Sequence, residues 1–317
     1  MPDSMATNIV PEIALGAAFP DRPADNTSLA FTRNQRLLLL LIGVVAFLAS
    51  RFAFTYLPLF GTPGFGGSLL VDGNPIISLT KVFVWTLVIF IAASLAGRGI
   101  RPDVGLFAAA IALFAARRSG GLTRETYVAH PAANTLTLFA VELALLGLFL
   151  GVLHVVTRQL VARGTLRDDA ALDGVRPVPE PVGQKILALL THALVSGVLI
   201  LVTVRGDERM QVTAMLVIAS LLSSICTVRF IPAMPSSFFW LGPIIAGLVG
   251  YLVTAATGTG LLNIGEPTGY CAALARAMPL DYASAGVAGS LYGYWIGRTL
   301  IPEDALQKPA TAPAARR

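Results

Sequence analysis

In a chain of 317 residues, 55% are hydrophobic, only 13% are charged and the mean hydropathy is +0.72, far from soluble domains, where about a quarter of residues carry charge. The formal charge of +5 and pI near 9.5 do not point to nucleic acid: no basic tract with interleaved aromatics occurs, and arginines beside membrane spans give the same balance. A water-soluble fold is thereby excluded, and the chain reads as an all-α, polytopic transmembrane helical bundle whose first partner is the lipid bilayer.

Residues 1–35 form a mixed polar tail. They lack the basic, then apolar, then small-residue order of a cleavable signal, so the first span is expected to be retained. A spanning helix needs about 20 mostly apolar residues, and eight candidates follow: 36–57, 78–97, 102–117, 134–157, 184–205, 209–228, 235–256 and 282–300. The third, from Pro102 to Arg117, rises only about 24 Å at 1.5 Å per residue, short of the ~30 Å hydrocarbon core. It either crosses a thinned bilayer or is re-entrant. Residues 158–183 hold the densest charge, with Asp168, Asp169 and the alternating prolines Pro177, Pro179 and Pro181, none of which continues a membrane helix. This cytoplasmic linker divides a first membrane half, 36–157, from a second, 184–300, and residues 301–317 form a second tail. No residue-level repeat relates the halves.

Orientation follows from the basic residues. With the N-terminus inside and eight crossings, fifteen of the twenty-three Lys and Arg fall on the inner side, among them Arg36, Arg98, Arg101, Arg158, Arg163, Lys185, Arg229 and Arg298. Arg117, Arg118 and Arg124 are the exception, and a re-entrant third span would invert everything after it. Both termini are therefore expected in the cytoplasm. Arg outnumbers Lys twenty to three, which suggests a GC-rich bacterial genome and hence a cytoplasmic (inner) membrane.

Two connections on the outer side exceed what a turn requires. Pro58 to Ile77 carries Asp72, and Thr257 to Leu280 carries Glu266. Apolar loops of this length fold onto the protein or dip into the membrane, serving as a structural cap or as a gate.

The last span has the sharpest pattern. Ala285, Gly289, Gly293 and Gly297 recur every four residues, a stripe that lets another helix approach closely; packing within the chain is expected over a homodimer seam. Gly242-Pro243 in the seventh span predicts a kink.

Charge in hydrocarbon costs about 2.5–3.5 kcal/mol per residue, so each such group invites a reason. Glu142 and Arg51 lie at similar depths below the outer side and are expected to pair. His192 lies near mid-membrane, where Ser220, Ser223 and Ser224 of the next span reach a comparable depth, and a neutral imidazole could hydrogen-bond to one of them. The candidate intramembrane polar site is thus Arg51, Glu142, His192 and Ser223, with Asp72 and Glu266 as outer-loop candidates. His130 and His154 fall on opposite sides, so the three histidines cannot share a metal. Cys226 and Cys271 also fall on opposite sides and are expected as free thiols. No HExxH, P-loop, GxGxxG or GxSxG motif occurs where it could act. No cofactor, metal or nucleic acid is therefore expected. The chain reads as a non-enzymatic membrane protein, passing a solute or acting as a structural partner, with a second copy or another subunit as candidate partners; the alternative is an intramembrane enzyme acting on a lipid-soluble substrate.

Overall fold

The computed structural model describes residues 33–56, 68–71, 74–116, 135–166, 182–206, 208–231, 239–257 and 270–300. Asp72, His130, Glu266, Arg117, Arg118 and Arg124, the proline-rich part of the linker and residues 1–32 and 301–317 of the two tails lie outside the described residues. The helices in order are α1 (Arg33–Tyr56), α2 (Pro75–Ala96), α3 (Val104–Ala116), α4 (Thr135–Ala162), α5 (Val182–Thr203), α6 (Arg209–Phe230), α7 (Leu241–Thr257), α8 (Tyr270–Arg276) and α9 (Pro279–Asp281); a π-helical turn (Tyr282–Gly286) then leads into α10 (Val287–Thr299). Five of them, α1, α2, α4, α5 and α6, are long and apolar enough to cross a membrane. Together with the shorter apolar helices they form a helical membrane bundle.

Local chemistry sets several ends. Asn74 caps α2 by accepting from the Ile77 N–H at 3.3 Å, with Pro75 in the first turn, where its missing donor costs nothing. The α4 helix runs to Ala162, five residues past the expected boundary, because Arg158 and Gln159 continue the helix after the apolar run stops. No kink is required at Gly242-Pro243: α7 starts at Leu241, which puts Pro243 in the first turn, where N–H groups have no intrahelical partner anyway.

Paired contacts fix helix directions. Gly97 and Gly105 face Val104 and Ser94, so α3 returns antiparallel to α2, while Gly43 meets Phe107 and Phe47 meets Phe114, so α3 runs parallel to α1. Against α4, Gly151 faces Trp240, Gly147 faces Ile244 and Phe139 meets Tyr251, an antiparallel register for α7. His192 with Gly242 and Gly197 with Ala246 make α5 parallel to α7. The positions of Gly289, Gly293 and Gly297 opposite Val217, Leu221 and Ile225 make α10 parallel to α6 at a constant offset. Consecutive long helices therefore alternate, and α1, α3, α5 and α7 run from an entry face, where α1 begins, to a far face.

Burial explains the length of α3. At 13 residues it rises only about 20 Å, but α1, α2, α4, the π turn and α10 enclose it and ten of its residues are buried. A helix seated in protein need not match the hydrocarbon thickness. By contrast α1 and α5 expose Leu37, Leu40, Leu41 and Leu48, and Leu187, Leu190 and Leu194, faces suited to lipid and untenable in water.

Candidate functional site

Polar groups are seated at three levels. Nearest the far face, Glu142 lies two turns into α4, about 10 Å along its axis, and is fully buried. Its Oε2 accepts from the Ser68 hydroxyl at 2.5 Å, the Leu69 N–H at 2.9 Å and the Leu70 N–H at 3.2 Å. The Ser68 hydroxyl in turn accepts from the N–H groups of Leu70 and Val71 at 3.3 and 3.1 Å. The 68–71 turn therefore tucks against α4, and its hydrogen bonds offset the desolvation of the buried carboxyl group. Arg51 is half-buried near the end of α1, beside Ser50, whose hydroxyl accepts from Trp85 Nε1 at 2.9 Å.

In the middle, His192 is 1% exposed. Its Nε2 lies 2.9 Å from the Ser224 hydroxyl, and the Phe239 ring stands 5.2 Å from it, centroid to centroid. Ser223 is not the histidine's partner: its hydroxyl donates to the Ser220 carbonyl at 3.0 Å, as Thr227 does to Ser223 at 2.8 Å. The helix rotation that points Ser224 at α5 turns its neighbour by about 100°. Gly242 makes room for the ring, since a β-carbon there would come within 2.9 Å of the imidazole Cγ.

Toward the entry face a cluster forms that sequence reasoning missed. Asp103, in the turn between α2 and α3, is 1% exposed and places Oδ1 3.8 Å from His154 Nδ1 on α4. One turn along, Arg158 Nε donates to His154 Nε2 at 3.4 Å, and Trp240 flanks the imidazole at 6.2 Å between centroids. The ring thus lies between a carboxylate and a guanidinium. Asp103 falls at the second position of the expected third span; its equal depth with His154, each close to the same face, is the signal that could have joined them.

Glu142 rests on α4 and the 68–70 turn, His192 on α5 and α6, and His154 on α4 and the α2–α3 turn. Among the described residues no group of three His, Cys, Asp or Glu could hold a metal, and Cys226 is an exposed free thiol. A groove of about 790 Å³ opens elsewhere, between α1, α3, α6 and the C-terminal helix. No protein family, curated protein or solved structure matches this chain.

Proposed function

We propose that the chain is a multi-pass protein of a bacterial cytoplasmic membrane, crossing eight times with both termini inside, and that it works without catalysis as a structural partner in the bilayer. The orientation rests on the basic residues that gather at the entry face. The observation that supports the role is that Glu142 and His192, two of the deep ionisable groups, are each taken up by a separate internal partner, the 68–70 turn and Ser224. A solute path would need such groups along one water-filled cavity. The exposed apolar faces of α1 and α5 leave room for a second copy or another membrane subunit.

Purified protein in liposomes loaded with a pH-sensitive dye tests this. Under an imposed potassium diffusion potential, acidification should match protein-free vesicles. Protein-dependent proton flux that Glu142→Gln or His192→Ala abolishes would overturn the reading. The enzyme alternative draws on one observation, the imidazole of His154 held between Asp103 and Arg158, an arrangement suited to proton transfer at the membrane edge. A lipid species whose abundance responds to His154→Ala, and not to His192→Ala, would favour it.

A further inference from the structure

His154 differs from His192 in its access to water and in the charges around it. Its side chain is 14% exposed near the entry end of α4, so protons can reach a ring seated in the bundle. Among the described residues the charges that act on it are Asp103, from the α2–α3 turn, and Arg158, one turn along its own helix. The elements packed against α4 add none at that level. No charged residue occurs in α3 or α7, while Lys81 of α2, Tyr251 of α7, Asp281 of α9 and Tyr282 of the π turn lie toward the far face. Arg98, exposed, and Arg101, buried, share the turn with Asp103, and Arg298 is buried at the entry end of α10; Arg101 and Arg298 make contacts of their own.

Hydrogen bonding fixes where the ring carries its proton. Arg158 Nε donates to Nε2, so the imidazole's own proton is on Nδ1, facing Asp103 Oδ1 at 3.8 Å, too long for a hydrogen bond. Two buried donors, His154 Nδ1 and Arg158 Nη2, are left unmatched. A second proton, taken from water, resolves this. It occupies the Nε2 lone pair, and Arg158 must withdraw because two donors cannot face each other. The imidazolium Nδ1–H is then drawn onto the Asp103 carboxylate, and the guanidinium turns to water at the entry face, one turn from the end of α4 at Ala162. We propose that Asp103, His154 and Arg158 form a proton-driven latch, which when neutral holds Arg158 against α4 and when protonated clamps the α2–α3 turn, and with it the start of α3, to α4. The latch needs no substrate, so it operates in a structural protein as in an enzyme.

Solution NMR of the full chain in micelles, with histidine and arginine nitrogens isotopically labelled, tests this. The signals are assigned by their loss in His154→Gln and Arg158→Lys. At about pH 8 His154 should be protonated at Nδ1 alone, and on titration to about pH 4 its Nε2 should gain a proton, with the Arg158 Nε signal moving in the same transition. Asp103→Asn should weaken proton binding about tenfold or more, read as a fall of about one pH unit or more in the midpoint; unchanged His192 signals check the fold. If that variant does not fold, the tautomer and the linked Arg158 signal of the wild type still decide. A ring protonated at Nε2 alone at high pH, no second proton across the range, an Arg158 signal indifferent to the transition, or an unmoved midpoint in folded Asp103→Asn would overturn the proposal.

Discussion

At the scale of single residues, what matters is how each polar group inside the bundle is accommodated. His192 and Gly242 form a lock in which the imidazole occupies the space a side chain would need. Gly242→Ala should lower stability in detergent by about 1–3 kcal/mol, the usual range for overpacking. Combined with His192→Ala it should cost far less than the sum, because the second change opens the space; thermal melts of the four proteins give the coupling. For Glu142, Ser68→Ala should cost about 1–3 kcal/mol, as expected when a buried hydrogen-bonding group loses a partner, and should loosen the 68–71 turn, seen as faster amide exchange at Leu69 and Leu70. The proposed pairing of Arg51 with Glu142 calls for its own cycle: if the two meet, Arg51→Leu and Glu142→Leu together should be less harmful than the single changes summed, whereas additivity would disprove contact. Sequence exposed the cost of Glu142 and His192 because a charge or imidazole in an apolar run is conspicuous. Their partners were less legible. Ser68 belongs to a loop whose path depends on tertiary packing, and choosing Ser224 over Ser223 takes a helix rotation that hydropathy does not report.

At the scale of elements, glycine placement decides how close the helices come. Gly289 and Gly293 rest on the backbone of α6, where a β-carbon at 289 would lie 2.6 Å from the Val217 carbonyl oxygen and one at 293 would lie 2.8 Å from the Leu221 Cα. Backbone cannot swing aside as a long side chain can, so Gly293→Leu should force the helices apart and lose the close contact that drives association in lipid. A drop of about 3 kcal/mol or more, or failure to fold, is expected from denaturant titration in micelles. Gly99→Ala, with open space around it, should stay within about 0.5 kcal/mol of wild type. The four-residue stripe was readable because small residues at helical spacing stand out among Leu and Val. The π turn before it was not: there the Val287 N–H is shared between the Ser284 and Tyr282 carbonyls, while the Ser284 hydroxyl donates to the Leu280 carbonyl at 2.5 Å, and such local rearrangements of bonding carry no hydropathy signal. The predicted kink failed for a related reason, since whether Pro243 bends a helix or begins one depends on where α7 starts.

At the scale of the molecule, composition sufficed for the class, and alternating apolar runs came close to the helix list, because hydrocarbon leaves the backbone few other ways to satisfy its hydrogen bonds. The order of contacts was hidden, as distant helices are chosen by shape. The proposed eight-span topology is checked by single cysteines placed near Ser28 and Thr311 in a chain lacking Cys226 and Cys271. Both should resist an impermeant thiol reagent in intact cells and react after permeabilisation, and labelling of either before permeabilisation would disprove it. The enclosure of α3 bears on how the protein is made. Its ten buried residues are covered partly by the π turn and α10, which the ribosome reaches some 170 residues later, roughly 10–30 s at ~5–20 residues per second. During that interval the part of α3 that they cover, where Phe107 meets Trp295, has no seat, and the nascent first half must be shielded by lipid or an insertion chaperone until α10 arrives. Biogenesis of the described bundle is thus committed only when α10 is made, and a ribosome that stalls within the linker would release a fragment fit for proteolysis.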